Sequence, residues 1–94
     1  MPILRIEHPV PNFDHWKTAF DSDPVGRKRL GVRRYQIFRS IADPNYVMID
    51  LEFDTKDEAE SLLSAMRAVW SRVEGSVMSD PHARVVEMVE CIEL

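Results

Sequence analysis

Two amphipathic helical segments, each set between stretches that alternate apolar and polar residues, constrain this chain more than any other feature. Leu4-Arg5-Ile6-Glu7 alternates with a period of two, the pattern of a strand with one face on a core. Pro9 and Pro11 interrupt it. Asn12 then offers a side-chain oxygen to the unpaired amides of a helix start, and Phe13, Trp16 and Phe20 follow at i, i+3 and i+7 on one helical face. Pro24 disfavours a helical conformation at Asp23, so this helix stops by Asp23. Asp23-Pro24 is suited to cap a short second turn, with Pro24 at its first position and Gly31 just past its end.

The second half repeats the plan. Val32 to Arg39 reads as a strand, Asp43-Pro44-Asn45 as a turn, and Tyr46 to Phe53 as a second strand with Val47, Ile49, Leu51 and Phe53 on one face. Thr55-Lys56-Asp57-Glu58 is a capping box, in which the Thr55 hydroxyl takes the Glu58 amide and the Glu58 carboxylate reaches back. The helix it opens carries Ala59, Leu62, Leu63, Met66, Val69, Trp70 and Val73 on one stripe, and Gly75 is placed to end it. Arg84 to Ile92 reads as a last strand. The order is a βαβ unit used twice. Right-handed crossovers place both helices on one face of a four-stranded antiparallel sheet, so the expected class is α+β: a single ferredoxin-like βαββαβ domain over residues 1–94.

Composition narrows the setting. The chain is 45% hydrophobic and 30% charged, which fits a globular domain and argues against disorder. No apolar run approaches the roughly 18 residues of a membrane span, and Met1-Pro2-Ile3-Leu4-Arg5 lacks a signal-peptide layout, so a cytoplasmic protein without membrane association is expected. A lone cysteine, Cys91, excludes an internal disulfide framework and a cysteine-based zinc site. Net charge is −4 but unevenly spread: residues 1–40 carry eight Lys/Arg against four Asp/Glu, and residues 41–94 carry four against twelve. Arg27, Lys28, Arg29, Arg33 and Arg34 cluster in the basic half. They suit pairing with the chain's own acidic half, or with that of a second copy, or an anion site. Nucleic acid is not expected, because such domains are basic overall with pI above about 9 and this one is near 5.3.

Alternation divides the sheet's side chains between two faces. Leu4, Ile6, Tyr35, Ile37, Val47, Ile49, Leu51 and Phe53 suit the helix-covered face. The other face then carries Ile3, Arg5, Glu7, Val32, Arg34, Gln36, Phe38, Tyr46, Met48, Asp50 and Glu52, with Arg34 and Asp50 able to pair across the hairpin. Ile3, Val32, Phe38, Tyr46 and Met48 are a large apolar patch for a monomer to leave in water. A homodimer with two sheets face to face would cover it. The last strand does not alternate cleanly at Val85, Val86, Met88 and Val89, as in a strand buried on both faces or reaching across a dimer.

The paired-helix plan, the Trp70-bearing second helix and the closing Ala83-Arg84-Val85-Val86-Glu87-Met88-Val89-Glu90 strand resemble the dimeric α+β barrel superfamily, and within it the antibiotic-biosynthesis-monooxygenase-like (ABM-like) group. That resemblance covers nearly the whole chain and implies a ligand cavity between helices and sheet, with the dimer barrel as packed core. Members include cofactor-independent oxygenases acting on polycyclic phenols, haem-degrading enzymes and cyclase- or isomerase-like enzymes. The haem-degrading branch pairs a Trp and a following His on the second helix with an Asn on the first strand. Trp70 resembles that Trp, but His82 lies past Gly75 and Pro81, and the first strand offers Ile6, Glu7 and His8 instead of Asn.

Trp16, Phe20, Tyr35, Met66 and Trp70 suit either plain core packing or an aromatic pocket for a small, flat ligand. In the pocket reading His82 or His15 serves as general base, since imidazole titrates near neutral pH. A cofactor-free oxygenase would use that base to deprotonate a phenol, which then reduces oxygen directly; no cofactor and no metal are expected. His8, His15 and His82 lack the four-residue helical spacing of a metal pair. Asp21 to Gly26 opens like a calcium loop but has Val25 and Val32 where oxygen ligands belong. Gly26 and Gly31 have phosphate-loop spacing, with Val32 where Lys is required. Cys91, in the last strand among Glu90 and Glu93, reads as an inert thiol. The competing reading is a non-catalytic ligand-binding or subunit-association module of the same fold.

Overall fold

A computed structural model describes residues Met1–Leu94. The elements are β1 (Pro2–Pro9), α1 (Phe13–Asp21), β2 (Arg34–Arg39), β3 (Tyr46–Glu52), α2 (Lys56–Val73) and β4 (His82–Glu87). They form one antiparallel four-stranded sheet in the order β2-β3-β1-β4, the ferredoxin-like arrangement expected from the doubled pattern. Both helix starts follow from their caps. The Asn12 side chain accepts the His15 amide at 2.9 Å, and the Asn45 side chain accepts the Phe13 amide at 3.1 Å, tying the β2–β3 turn to α1. Thr55 and Glu58 close the capping box reciprocally, at 3.2 and 3.1 Å. Gly75, at φ +88°, turns the chain out of α2 in the left-handed conformation that glycine adopts without a Cβ penalty.

The core lies between the sheet and the helices. Leu4, Ile6, Val47, Ile49, Leu51 and Phe53 are buried from the sheet side, and Trp16, Phe20, Ala59, Leu62 and Trp70 from the helix side. Burying each of the larger of these side chains stabilises the fold by about 1.5–3 kcal/mol. The opposite sheet face is open and laid out in rows by the register. One row runs Arg34, Glu52, Ile3, Val86; the next Gln36, Asp50, Arg5, Arg84; the third Phe38, Met48, Glu7, His82. Arg5 grips Asp50 with two hydrogen bonds at 2.9 and 3.0 Å, Arg34 pairs with Glu52, and the Tyr46 hydroxyl donates to Glu7 at 2.9 Å.

Four local expectations are corrected. β2 begins at Arg34 rather than Val32, because the Val32 amide bonds back to the Arg27 carbonyl, and this turn carries Val32 into the core instead of onto the open face. Arg34 pairs with Glu52, directly opposite it, while Asp50 is claimed by Arg5. β4 spans His82–Glu87 instead of reaching Ile92: its only neighbour is β1, and their ladder runs out at Pro2 opposite Glu87. Cys91 accordingly lies beyond the strand and is exposed. Residues 24–31 form successive turns rather than a helical turn, although Asp23 does cap them by accepting the Arg27 amide at 2.9 Å.

Candidate functional site

A cavity of about 240 Å³ opens between α1, α2 and the segments that follow them. Trp16 and Phe20 enter from α1, and Met66 and Trp70 from α2; Val25, Val77 and Met78 close the sides. The aromatic wall is continuous. Phe13 and Trp16 lie 5.8 Å apart between ring centroids, Trp16 and Phe20 5.2 Å, and Phe20 meets Tyr35 edge-on at 5.3 Å. These are stacking distances for offset and edge-to-face aromatic pairs. The structure thus brings Trp16, Phe20, Met66 and Trp70 to one cavity. Tyr35 stands just outside it, against Phe20, on the wall of a second cavity.

That second cavity, an open groove of about 530 Å³, runs along the loop between α1 and β2. Its charged lining is Arg27, Lys28, Arg33 and Arg34 with Asp23. The basic cluster pairs largely with the chain's own carboxylates: Arg27 with Asp23, Arg33 with Asp54 and Arg34 with Glu52. Arg33 and Arg34 remain well exposed, so solvent screens these pairs and they add little to stability.

Neither histidine expected as a base lines the aromatic cavity. His15 is exposed on α1 beside its cap. His82 begins β4 on the open sheet face, opposite Glu7, with Nε2 3.4 Å from Asp80. The histidine at the aromatic wall is His8. It is 1% exposed, lies on the helix-facing side of β1 in phase with Leu4 and Ile6, and meets Trp16 edge-on at 5.9 Å. Its Nδ1 lies 3.2 Å from the Pro9 carbonyl, which can only accept, so Nδ1 carries the proton of the neutral ring. Burial pushes the His8 pKa down, with the Pro9 contact opposing weakly. The alternation of β1 carried this signal, since Leu4, Ile6 and His8 share one parity. Tyr46 is held in its protonated form, its pKa raised by the hydrogen bond to Glu7. No three His, Cys, Asp or Glu side chains gather in a metal-holding group. No helix is long and apolar enough to cross a membrane.

No protein-family model matches the sequence, and no curated protein matches it. Solved structures do match over nearly the whole chain. SnoaB, a cofactor-independent oxygenase from Streptomyces nogalater, aligns with a TM-score of 0.75 at 12% identity, covering 97% of this chain and 95% of that one. An antibiotic biosynthesis monooxygenase aligns with a TM-score of 0.69 at 11% identity, covering 96% of this chain and 100% of that one. A dimeric ferredoxin-like protein from an uncultured marine organism aligns with a TM-score of 0.65 at 10% identity, covering 97% of each chain. At these identities the likeness is one of fold. The chain shares the ferredoxin-like α+β fold of these structures.

Proposed function

We propose that this chain forms a homodimer that binds a small aromatic ligand in the cavity between α1 and α2 of each protomer, where a cofactor-independent monooxygenase or cyclase would act. The carrying observation is the aromatic and apolar wall of Trp16, Phe20, Met66 and Trp70 around an open space. Such a lining suits a flat apolar body, with Tyr35 backing Phe20 from outside the cavity. The dimer is supported by the open sheet face, where Phe38 is 47% exposed and Met48 and Val86 are half-buried among the ion pairs, while Ile3, expected in this patch, is already buried within the single chain. It is further supported by a dimeric ferredoxin-like protein of the same fold. His82 on that face and His15 on α1 are the proposed bases for a reacting phenol; neither lines the cavity, so each reaches a bound phenol only from a second protomer.

Isothermal titration with 1-naphthol, followed by oxygen uptake under the same conditions, tests the reading. Saturable binding that Trp70→Ala weakens supports the cavity as the site, and absence of binding overturns it. Full turnover in both His82→Ala and His15→Ala removes these residues from the mechanism. One observation favours the non-catalytic module as a second reading: the cavity lining contains no His, Asp or Glu, so no general base faces a ligand directly. Tight binding without oxygen uptake would decide for that module.

A further inference from the structure

Arg27 is the one residue that lines both the aromatic cavity and the basic groove. Its guanidinium carbon lies 3.9 Å from the centre of the Phe20 ring and 5.2 Å from that of Tyr35, so aromatic faces hold the planar group in place. The side chain is only 12% exposed. Both of its protein contacts fall on one nitrogen: Nη1 donates to the Phe20 carbonyl at 2.7 Å and lies 3.5 Å from Asp23 Oδ1. Nε and Nη2, a parallel pair of donors, are left without a protein acceptor. Beside them Lys28 has no carboxylate partner, whereas Arg33 and Arg34 are matched by Asp54 and Glu52. A preoriented cation with a free donor pair thus stands at the boundary between an apolar cavity and a positive groove.

We infer that the ligand is an aromatic carboxylate, its ring in the cavity beside Trp16, Phe20 and Trp70 and its carboxylate held by Arg27. This rests on the aromatic-cavity reading above. The fork of Nε and Nη2 matches the two oxygens of a carboxylate, which a single phenolate oxygen does not. Lys28 and the groove supply the positive field along which the anion enters.

The test compares 1-naphthoate with 1-naphthamide, a neutral molecule of nearly the same shape, by isothermal titration at low ionic strength. The native protein should bind the carboxylate about tenfold more tightly, as one charge-assisted contact would give. Arg27→Gln should abolish that preference, bringing the affinities of the two probes together. Arg27→Lys keeps the charge and the reach to the Phe20 carbonyl without the fork, and should retain only part of the preference. Equal affinities in the native protein overturn the inference and leave the cavity reading standing. Failure of both probes to bind overturns both. An undiminished preference in Arg27→Gln, or in Arg27→Lys should the first variant not fold, overturns the assignment to Arg27.

Discussion

The buried His8 ties the stability of this fold to pH in a way that one substitution exposes. Burial against Trp16 lowers the folded pKa of His8 below its ordinary value of 6.5. The unfolded chain therefore takes up a proton first as pH falls. Between the folded value and 6.5 the unfolded state binds more protons, so stability rises with pH across that window and is lost as pH falls through it. One residue can exchange at most one proton on unfolding, which limits its slope to about 1.4 kcal/mol per pH unit. His8→Leu removes the titration with little packing loss, because the site is apolar and the Pro9 carbonyl keeps its bond from the Ser79 amide at 3.3 Å. At pH 7.5 the variant should lie within about 1 kcal/mol of the native protein, the scale of one lost hydrogen bond. Urea unfolding of both proteins at one concentration, from pH 7.5 to 5, reads the difference. The native curve should fall more steeply below pH 6.5 and the two should converge or cross. Parallel curves would refute the burial argument, since every other group of the chain is common to both proteins.

Three further outcomes follow from the same geometry. Thr55→Ala breaks the capping box of α2 and should cost about 1 kcal/mol, lowering the melting midpoint by roughly 4–8 °C in a domain of this size. Gly31→Ala should destabilise by more than 1 kcal/mol, on the order of the strain at such positions: Gly31 sits at φ +103° and an added Cβ would collide with the Glu58 carboxylate, as a thermal melt would register. Phe38→Glu puts a charge on an exposed apolar side chain of the open face, opposite Met48, and should shift the light-scattering mass from dimer to monomer at micromolar concentration while far-ultraviolet circular dichroism stays native. A monomer mass for the unsubstituted chain would remove the dimer altogether.

What the sequence determined by itself is local. Asn12, Thr55 and Glu58 set the helix starts because a cap bonds amides only two or three residues away. The period of two in β1 and β3 assigned Leu4, Ile6, Val47, Ile49 and Leu51 to the covered face, since a strand has only two faces to choose from. The aromatic stripe of α1 and α2 placed Trp16, Phe20, Met66 and Trp70 under the helices, and the tertiary fold left a space among them. What only the tertiary structure decided involves partners distant along the chain. Asp50 goes to Arg5, 45 residues away, and leaves Arg34 to Glu52 because β3 lies between β1 and β2 in a register no single strand encodes. β4 ends at Glu87 because its neighbour's ladder ends, although its own residues favour extended chain to Ile92. Arg27, read from sequence as one charge in a basic run, becomes the hinge between two cavities because the loop folds its guanidinium onto Phe20. Side-chain chemistry is written in the chain; which of these groups share a space is set by the packing of the sheet and its two helices.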